Sequence, residues 1–160
     1  LGYVLWLRDR PLFRRFAAAL LLMSFACFVF FLVVPVAPPW LASQRGYLPH
    51  IDKIISSTIP SQTTWFYQHL NPNPVAAFPS RPQACTVLGL LYGIRSFGWR
   101  AWPLALWCVA VCFSIVYLGE HYLIDAIAGV VAAITTAAGA STAPRRKLLV
   151  ISRAKTPLRG

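Results

Sequence analysis

The chain has 160 residues, of which 58% are hydrophobic and only 12% are charged, and its formal net charge is +11. A soluble domain carries about 25% charged residues, so this composition excludes an ordinary soluble protein and predicts an integral membrane protein. In a soluble protein the positive charge would suggest a nucleic-acid partner. Here orientation in a bilayer explains it better, because basic residues collect on the cytoplasmic side, and no nucleic-acid partner is expected.

The N-terminal residues predict the remainder of one helix, a basic loop and one complete span. Leu1–Leu7 is apolar, too short to cross a bilayer and unlike a signal peptide, so we expect an N-terminally truncated fragment. Four arginines then predict a basic loop: Arg8, Arg10, Arg14 and Arg15. Residues 16–36 supply 21 uncharged positions, enough for the ~20 residues of a spanning helix, and the prolines that follow end it.

Residues 37–79 predict a long, mostly polar loop on the outer side of the membrane. Within it, the isoleucines at 51, 54, 55 and 59 recur at helical spacing, which indicates a short amphipathic helix lying on the membrane surface. His50 and His69 have no acidic neighbour at a useful spacing. We expect both to be surface histidines rather than ligands or catalysts.

Three further apolar stretches predict spanning helices at about 80–97, 101–118 and 122–140. Together with the first span they predict an all-α fold, a polytopic membrane helical bundle over residues 1–143, with a basic tail at 144–160. The four cysteines lie in apolar stretches without C-x-x-C spacing. They are interpreted as small buried side chains rather than disulfide partners or metal ligands.

The basic residues predict the orientation. When loops are assigned to alternate sides, twelve basic residues fall on one side, and the other three (Arg45, Lys53 and Arg81) fall on the opposite side. The positive-inside rule makes the first side cytoplasmic. We therefore expect a multi-pass protein of the plasma membrane with a cytoplasmic C-terminal tail. The second and fourth spans, which begin at Ser80 and His121, then both start at the outer face.

The most informative stretch is Gly119–Asp125, which holds two of the four acidic residues and one of the three histidines. If this stretch is helical, His121 and Asp125 share a face, and the carboxylate can accept a hydrogen bond from one ring nitrogen. The other ring nitrogen then keeps a lone pair for nucleophilic attack. Ionisable groups at membrane depth are costly, which favours a functional role over an idle, solvated cluster. Glu120 either tunes His121 or is a solvated acid, and we expect the latter.

Two segments carry a family resemblance: N-P-V-A-A-F-P-S at 73–80 and, about forty residues later, G-E-H-Y-L-I-D at 119–125. They resemble the type 2 phosphatidic acid phosphatase superfamily, and more closely its inositolphosphotransferase-like branch, which is related to inositol phosphorylceramide synthases. In that branch a P-S-x-H motif precedes an H-Y-x-x-D motif, and a proline-rich segment like Pro35–Trp40 follows an early span. The resemblance covers the chain from about Arg8 to Ala140.

The resemblance implies a membrane lipid phosphatase or phosphotransferase that needs no metal and no organic cofactor. His121 matches the nucleophile that forms a phosphohistidine, and Asp125 matches the carboxylate that orients it. Ser80 matches a phosphate-binding hydroxyl, and Arg81 is a candidate cation for the same phosphate. The substrate would be a phospholipid or lipid phosphate that reaches the site from the bilayer at the outer face.

The first motif departs from the family pattern after its serine. Pro82 stands where the histidine that protonates the leaving group is expected, and Arg81 stands where a small or apolar residue is usual. The resemblance therefore implies an impaired site. Pro79–Pro82 also fits a plain helix start, because serine is a favoured N-cap and proline is tolerated in a first turn. The alternative functions are a non-catalytic membrane protein of the same fold that binds phospholipid or a partner and, more weakly, a proton-relaying transporter.

Overall fold

The computed structural model describes residues 1–51 and 75–142, and the regular structure in these residues is helical. Its helices are α1 (Gly2–Arg8), α2 (Arg10–Val33), α3 (Pro39–Gln44), α4 (Arg81–Phe97), α5 (Trp102–Tyr117) and α6 (Leu123–Thr142), with a 3-10 turn at Gly98–Ala101. Within residues 1–51 and 75–142, three segments are long and apolar enough to cross a membrane: Arg10–Val33, Arg81–Tyr117 and Leu123–Ser141. The predicted all-α membrane fold is confirmed.

The middle apolar segment contains two helices that fold back on each other. Gly93, near the end of α4, lies against Leu104, near the start of α5, so the chain reverses direction at the 3-10 turn. The bounds of α4 and α5 lie within one residue of the ranges predicted for the second and third spans. The number of times the chain crosses the bilayer stays a prediction.

Helix α2 begins earlier than predicted, at Arg10 rather than Phe16. Asp9 is its N-cap, with Oδ1 accepting a hydrogen bond from the backbone N–H of Leu12 at 2.9 Å. A proline in the first turn is also compatible with a helix start. The arginines at 10, 14 and 15, which were expected in a loop, therefore lie in the first turns of α2. A helix can continue past its apolar stretch when a cap satisfies its first N–H groups.

The core lies between α2, α4 and α6 and is made largely of small or medium side chains. Its fully buried members include Ala19, Met23, Cys27, Ala84, Leu88, Tyr92 and Ala133. The ring of Phe16, near the start of α2, meets the ring of Tyr92, near the end of α4, edge-on at 5.4 Å, so these two helices run antiparallel. Small residues at helix contacts are typical of membrane bundles. Many large apolar side chains of α2, α5 and α6 are exposed, which is expected of surfaces that face lipid.

Some predictions fall on residues that the structure does not describe. The surface helix expected from the isoleucines at 54, 55 and 59 lies outside the described residues, as do His69, Lys53 and the tail at 144–160. His50 is described and is exposed.

Candidate active site

The candidate site forms where α5 ends and α6 begins. Gly119 has φ +68°, a left-handed conformation that favours glycine. Its N–H donates to the carbonyl of Val116, and the N–H of Glu120 donates to the carbonyl of Ile115, both at 3.1 Å. This pair of bonds is a Schellman motif, which ends α5 and turns the chain. His121 follows directly and lies outside the helices, where its N–H also bonds to Ile115.

Asp125 is held in the first turn of α6 by the backbone that precedes the helix. Its Oδ2 accepts a hydrogen bond from the N–H of Tyr122 at 2.8 Å, which is one half of a capping box. The side chain is almost completely buried, with 1% of its surface exposed. The stretch is therefore not helical at His121, unlike the arrangement assumed from the sequence. The two side chains still meet, because the capping carboxylate reaches back: His121 Nδ1 lies 3.7 Å from Asp125 Oδ2.

The closest partner of the His121 ring is a backbone carbonyl rather than a carboxylate. Nδ1 lies 2.8 Å from the carbonyl oxygen of Ala77. Because a carbonyl only accepts hydrogen bonds, Nδ1 must carry the proton, and the lone pair of the neutral ring lies on Nε2. The 3.7 Å separation from Asp125 is too long for a hydrogen bond, so the carboxylate acts as a nearby negative charge. Sequence reasoning missed Ala77, since a backbone carbonyl has no side-chain signature.

The two sequence motifs are joined backbone to backbone. The N–H of Ser80 donates to the carbonyl of Asp125 at 2.9 Å. A Cβ added to Gly129 would lie 2.5 Å from the carbonyl oxygen of Ser80 and 3.2 Å from the nitrogen of Ala84. Only glycine allows α6 to approach the start of α4 this closely. The Phe78–Pro79 peptide that leads into α4 is cis.

The first motif has the local geometry of a capped helix start. Ser80 has no exposed surface, and its Oγ accepts a hydrogen bond from the N–H of Gln83 at 3.4 Å. Its phosphate-binding role stays a prediction. Arg81 is exposed in the first turn of α4, and among the described residues its guanidinium forms no ion pair. Pro82 is exposed beside it.

The proline-rich segment after α2 touches both motifs. The N–H of Val36 donates to the carbonyl of Val75 at 2.8 Å, and the N–H of Ala77 donates to the carbonyl of Val36 at 3.2 Å. Four residues later, the N–H of Trp40 donates to the carbonyl of Gly119 at 3.2 Å. Residues 36–40, called the strap below, therefore bond to the segment that carries the Ala77 carbonyl and to the turn before His121, and so fix the position of one relative to the other.

Glu120 is fixed by the strap rather than solvated, so the expectation of a solvated acid is wrong. Its Oε2 accepts a hydrogen bond from the indole N–H of Trp40 at 3.3 Å. Its Oε1 is buried, with no hydrogen-bond partner among the described residues. The physical reason is long-range packing: Trp40 is 80 residues away in sequence and largely buried against this turn.

Comparison with known proteins points in the same direction as the motifs. A sequence model of the PAP2 superfamily matches residues 1–139. The phosphoinositol dihydroceramide synthase of Bacteroides thetaiotaomicron is 28% identical over 144 residues, and the match covers 77% of this chain and 44% of that protein. The chain thus spans less than half the length of that relative. No solved structure matches the chain.

Proposed function

Because the chain belongs to the PAP2 superfamily, a superfamily of phosphatases and phosphotransferases, we propose that it transfers phosphate from a membrane lipid through a phosphohistidine on His121. The observation that carries this proposal is the state of the His121 ring. With Nδ1–H bonded to the Ala77 carbonyl, the ring presents its lone pair on Nε2. The buried carboxylate of Asp125 lies 3.7 Å from Nδ1. A nucleophile oriented in this way is what covalent catalysis on phosphorus requires.

The first step is attack of His121 Nε2 on the phosphorus of the lipid. A nitrogen–phosphorus bond forms, the bond from phosphorus to the leaving oxygen breaks, and the electron pair leaves with that oxygen. The ring becomes cationic beside Asp125. Unit charges about 4 Å apart interact by up to about 4 kcal/mol at the effective dielectric of a protein surface, before desolvation is subtracted. The Asp125 carboxylate therefore stabilises the intermediate while Ala77 holds the ring in place.

The second step releases the phosphoryl or phosphodiester group. An oxygen nucleophile attacks phosphorus and gives up its proton to water, the nitrogen–phosphorus bond breaks, and Nε2 regains its lone pair. The proton lost here balances the one that the leaving alkoxide of the first step takes up from water. When the nucleophile is water the reaction is a hydrolysis, and when it is an alcohol the reaction is a transfer. The relative from Bacteroides thetaiotaomicron is named as a synthase, which supports an alcohol acceptor for this chain.

Phosphate would be held at the start of α4. Arg81 is exposed there without a described ion partner, and a helix N-terminus offers free N–H groups to an anion. Ser80 would contribute its hydroxyl, as the resemblance implies. The unequal distribution of basic residues, twelve against three, supports placing this end of the bundle at the outer face.

The nucleophile is tested with two substitutions in the purified protein. His121→Ala should abolish turnover of a lipid phosphate and remove an acid-labile phosphoenzyme. Asp125→Asn keeps an oxygen for the Tyr122 N–H but loses the negative charge, so kcat/KM should fall roughly 10²–10³-fold, the equivalent of about 3–4 kcal/mol. Asp9→Asn is the matched control, because it makes the same change at the opposite end of the bundle and asparagine still caps a helix.

Retention of full activity in His121→Ala would refute the mechanism.

A second candidate function, a non-catalytic lipid-binding protein, is favoured by Pro82, which has no proton to give, and by the complete burial of Ser80. If this second function is correct, the unmodified protein binds vesicles that contain a lipid phosphate, but it shows no turnover and forms no phosphoenzyme.

A further inference from the structure

A groove of about 450 Å³ lies between α2 and α6, directly beside the site. Cys27 and Phe30 line it from α2, and Ala132 is among the residues that line it from α6. Phe78 and Pro79, which precede α4, also line it. The rings of Phe30 and Phe78 meet edge-on at 6.2 Å across one end. The groove exists because α6 presents alanines, at 128 and 132, where larger side chains would fill the space between the helices.

The lining selects an apolar occupant. Among the residues that the structure describes, no charged residue lines the groove. Its hydroxyl groups are already bonded within α6: Thr135 donates to the carbonyl of Val131 at 2.9 Å, and Thr136 donates to the carbonyl of Ala132 at 2.7 Å. The acceptor groups of a polar ligand would lose their hydration here without gaining a hydroxyl donor, whereas a hydrocarbon chain loses nothing.

The wall of the groove continues into the catalytic residues. Phe78 and Pro79 lie in the chain between Ala77, whose carbonyl holds the His121 ring, and Ser80, which is bonded to Asp125. From Ala128 to Thr136 the groove follows α6 for about 12 Å, at 1.5 Å per residue. It therefore begins one turn beyond Asp125 and leads away from the site along the helix.

The groove is also open on the surface that faces lipid. Phe30 and Val131, which border it from opposite helices, are 47% and 54% exposed. A chain can therefore enter sideways from the bilayer without leaving an apolar environment.

We propose that this groove binds one hydrocarbon chain of the lipid whose phosphate reacts at His121, an inference that rests on the proposed function. The bilayer is as apolar as the groove, so occupancy adds little hydrophobic free energy. What the groove supplies is position: it fixes where the headgroup lies relative to Nε2, and the shape of its lining discriminates between chains.

The test fills the groove from α6. Ala132→Phe should lower the ratio of kcat/KM for dipalmitoyl phosphatidic acid to kcat/KM for p-nitrophenyl phosphate by 10-fold or more, as size changes in an apolar pocket do. Ile134→Phe is the matched control, since Ile134 is exposed on the same helix and does not line the groove, and it should leave the ratio unchanged. An unchanged ratio in Ala132→Phe would overturn the inference.

A second measurement needs no turnover and so separates this inference from the proposed chemistry. A phosphatidic acid with a photoactivatable diazirine in its chain should label peptides at 26–30 and 128–136 in His121→Ala as well as in the unmodified protein. Ala132→Phe should suppress that labelling, and Ile134→Phe should not. If no form shows turnover but this labelling pattern is found, the proposed chemistry fails and the groove assignment stands. Labelling spread evenly over the exposed faces of α2, α5 and α6 would overturn it.

Discussion

Gly129 offers the sharpest test of how the site is assembled. A Cβ at this position would lie 2.5 Å from the carbonyl oxygen of Ser80, about 1 Å short of the 3.4 Å at which ordinary contact begins. The opposing atom is backbone, so it cannot rotate away. Gly129→Ala must therefore move α6 from α4 and lengthen or break the bond from the Ser80 N–H to the Asp125 carbonyl.

The size of the effect follows from that displacement. Overpacking costs about 1–3 kcal/mol, and the better helix propensity of alanine returns up to about 1 kcal/mol. The net loss is about 0–3 kcal/mol, so at about 2–4 °C per kcal/mol for a chain of this length we expect Tm to fall by up to roughly 12 °C. Activity should suffer more, because misplacing catalytic groups by about 1 Å costs on the order of 10²-fold, or about 2.7 kcal/mol of barrier.

The measurements are thermal unfolding in detergent and kcat/KM with p-nitrophenyl phosphate. Gly139→Ala is the matched control: it makes the same change on the same helix, but a Cβ there would meet nothing within 4 Å. It should leave activity unchanged and raise Tm by at most about 4 °C. If Gly129→Ala matches this control in both measurements, the close contact between α4 and α6 does not hold the site together.

Three further predictions use other parts of the chain. Pro82→His supplies the proton donor that a general acid requires, so turnover of a lipid phosphate should rise by ~10²–10⁴-fold and that of p-nitrophenyl phosphate far less; equal gains on both would contradict this role. Trp40→Phe leaves the Glu120 carboxylate without its indole donor and should lower the free energy of unfolding, measured by thermal denaturation, by about 1–3 kcal/mol. A decrease below about 0.5 kcal/mol would show that this bond does not contribute to stability. In intact cells, a cysteine at Arg45 should react with an impermeant thiol reagent and one at Arg146 should not; the reverse pattern would place the site in the cytoplasm.

Much of the bundle could be predicted because apolar run length is a direct signal for membrane helices. The apolar runs predicted the bounds of α4, α5 and α6 to within one or two residues. The start of α2 was missed because Asp9, a single capping residue, extends the helix into the charged segment. Gly119 could have signalled the end of α5, since glycine after an apolar helix commonly adopts the left-handed conformation found here.

The site was only partly predictable, for a different reason. His121 and Asp125 stood out as rare ionisable groups between apolar runs. The atoms that fix them, namely the carbonyl of Ala77 and the backbone at Ser80, are chemically identical to every other backbone group and are recognisable only in three dimensions. The partial burial of Glu120 depends in the same way on a distant tryptophan.

The strap has a consequence for how the protein matures during synthesis. The Ala77–His121 hydrogen bond spans 44 residues and the Trp40–Glu120 bond spans 80, so neither can form until α5 has been made and the chain has emerged as far as the turn that follows it. Chain segments emerge from the N-terminus onward, and contacts between distant segments form late because their loops must close first. Because Ala77 and Trp40 both precede the turn, the groups that hold His121 and Glu120 are already made when these two residues emerge, whereas the Asp125 carboxylate beside the ring arrives four residues later.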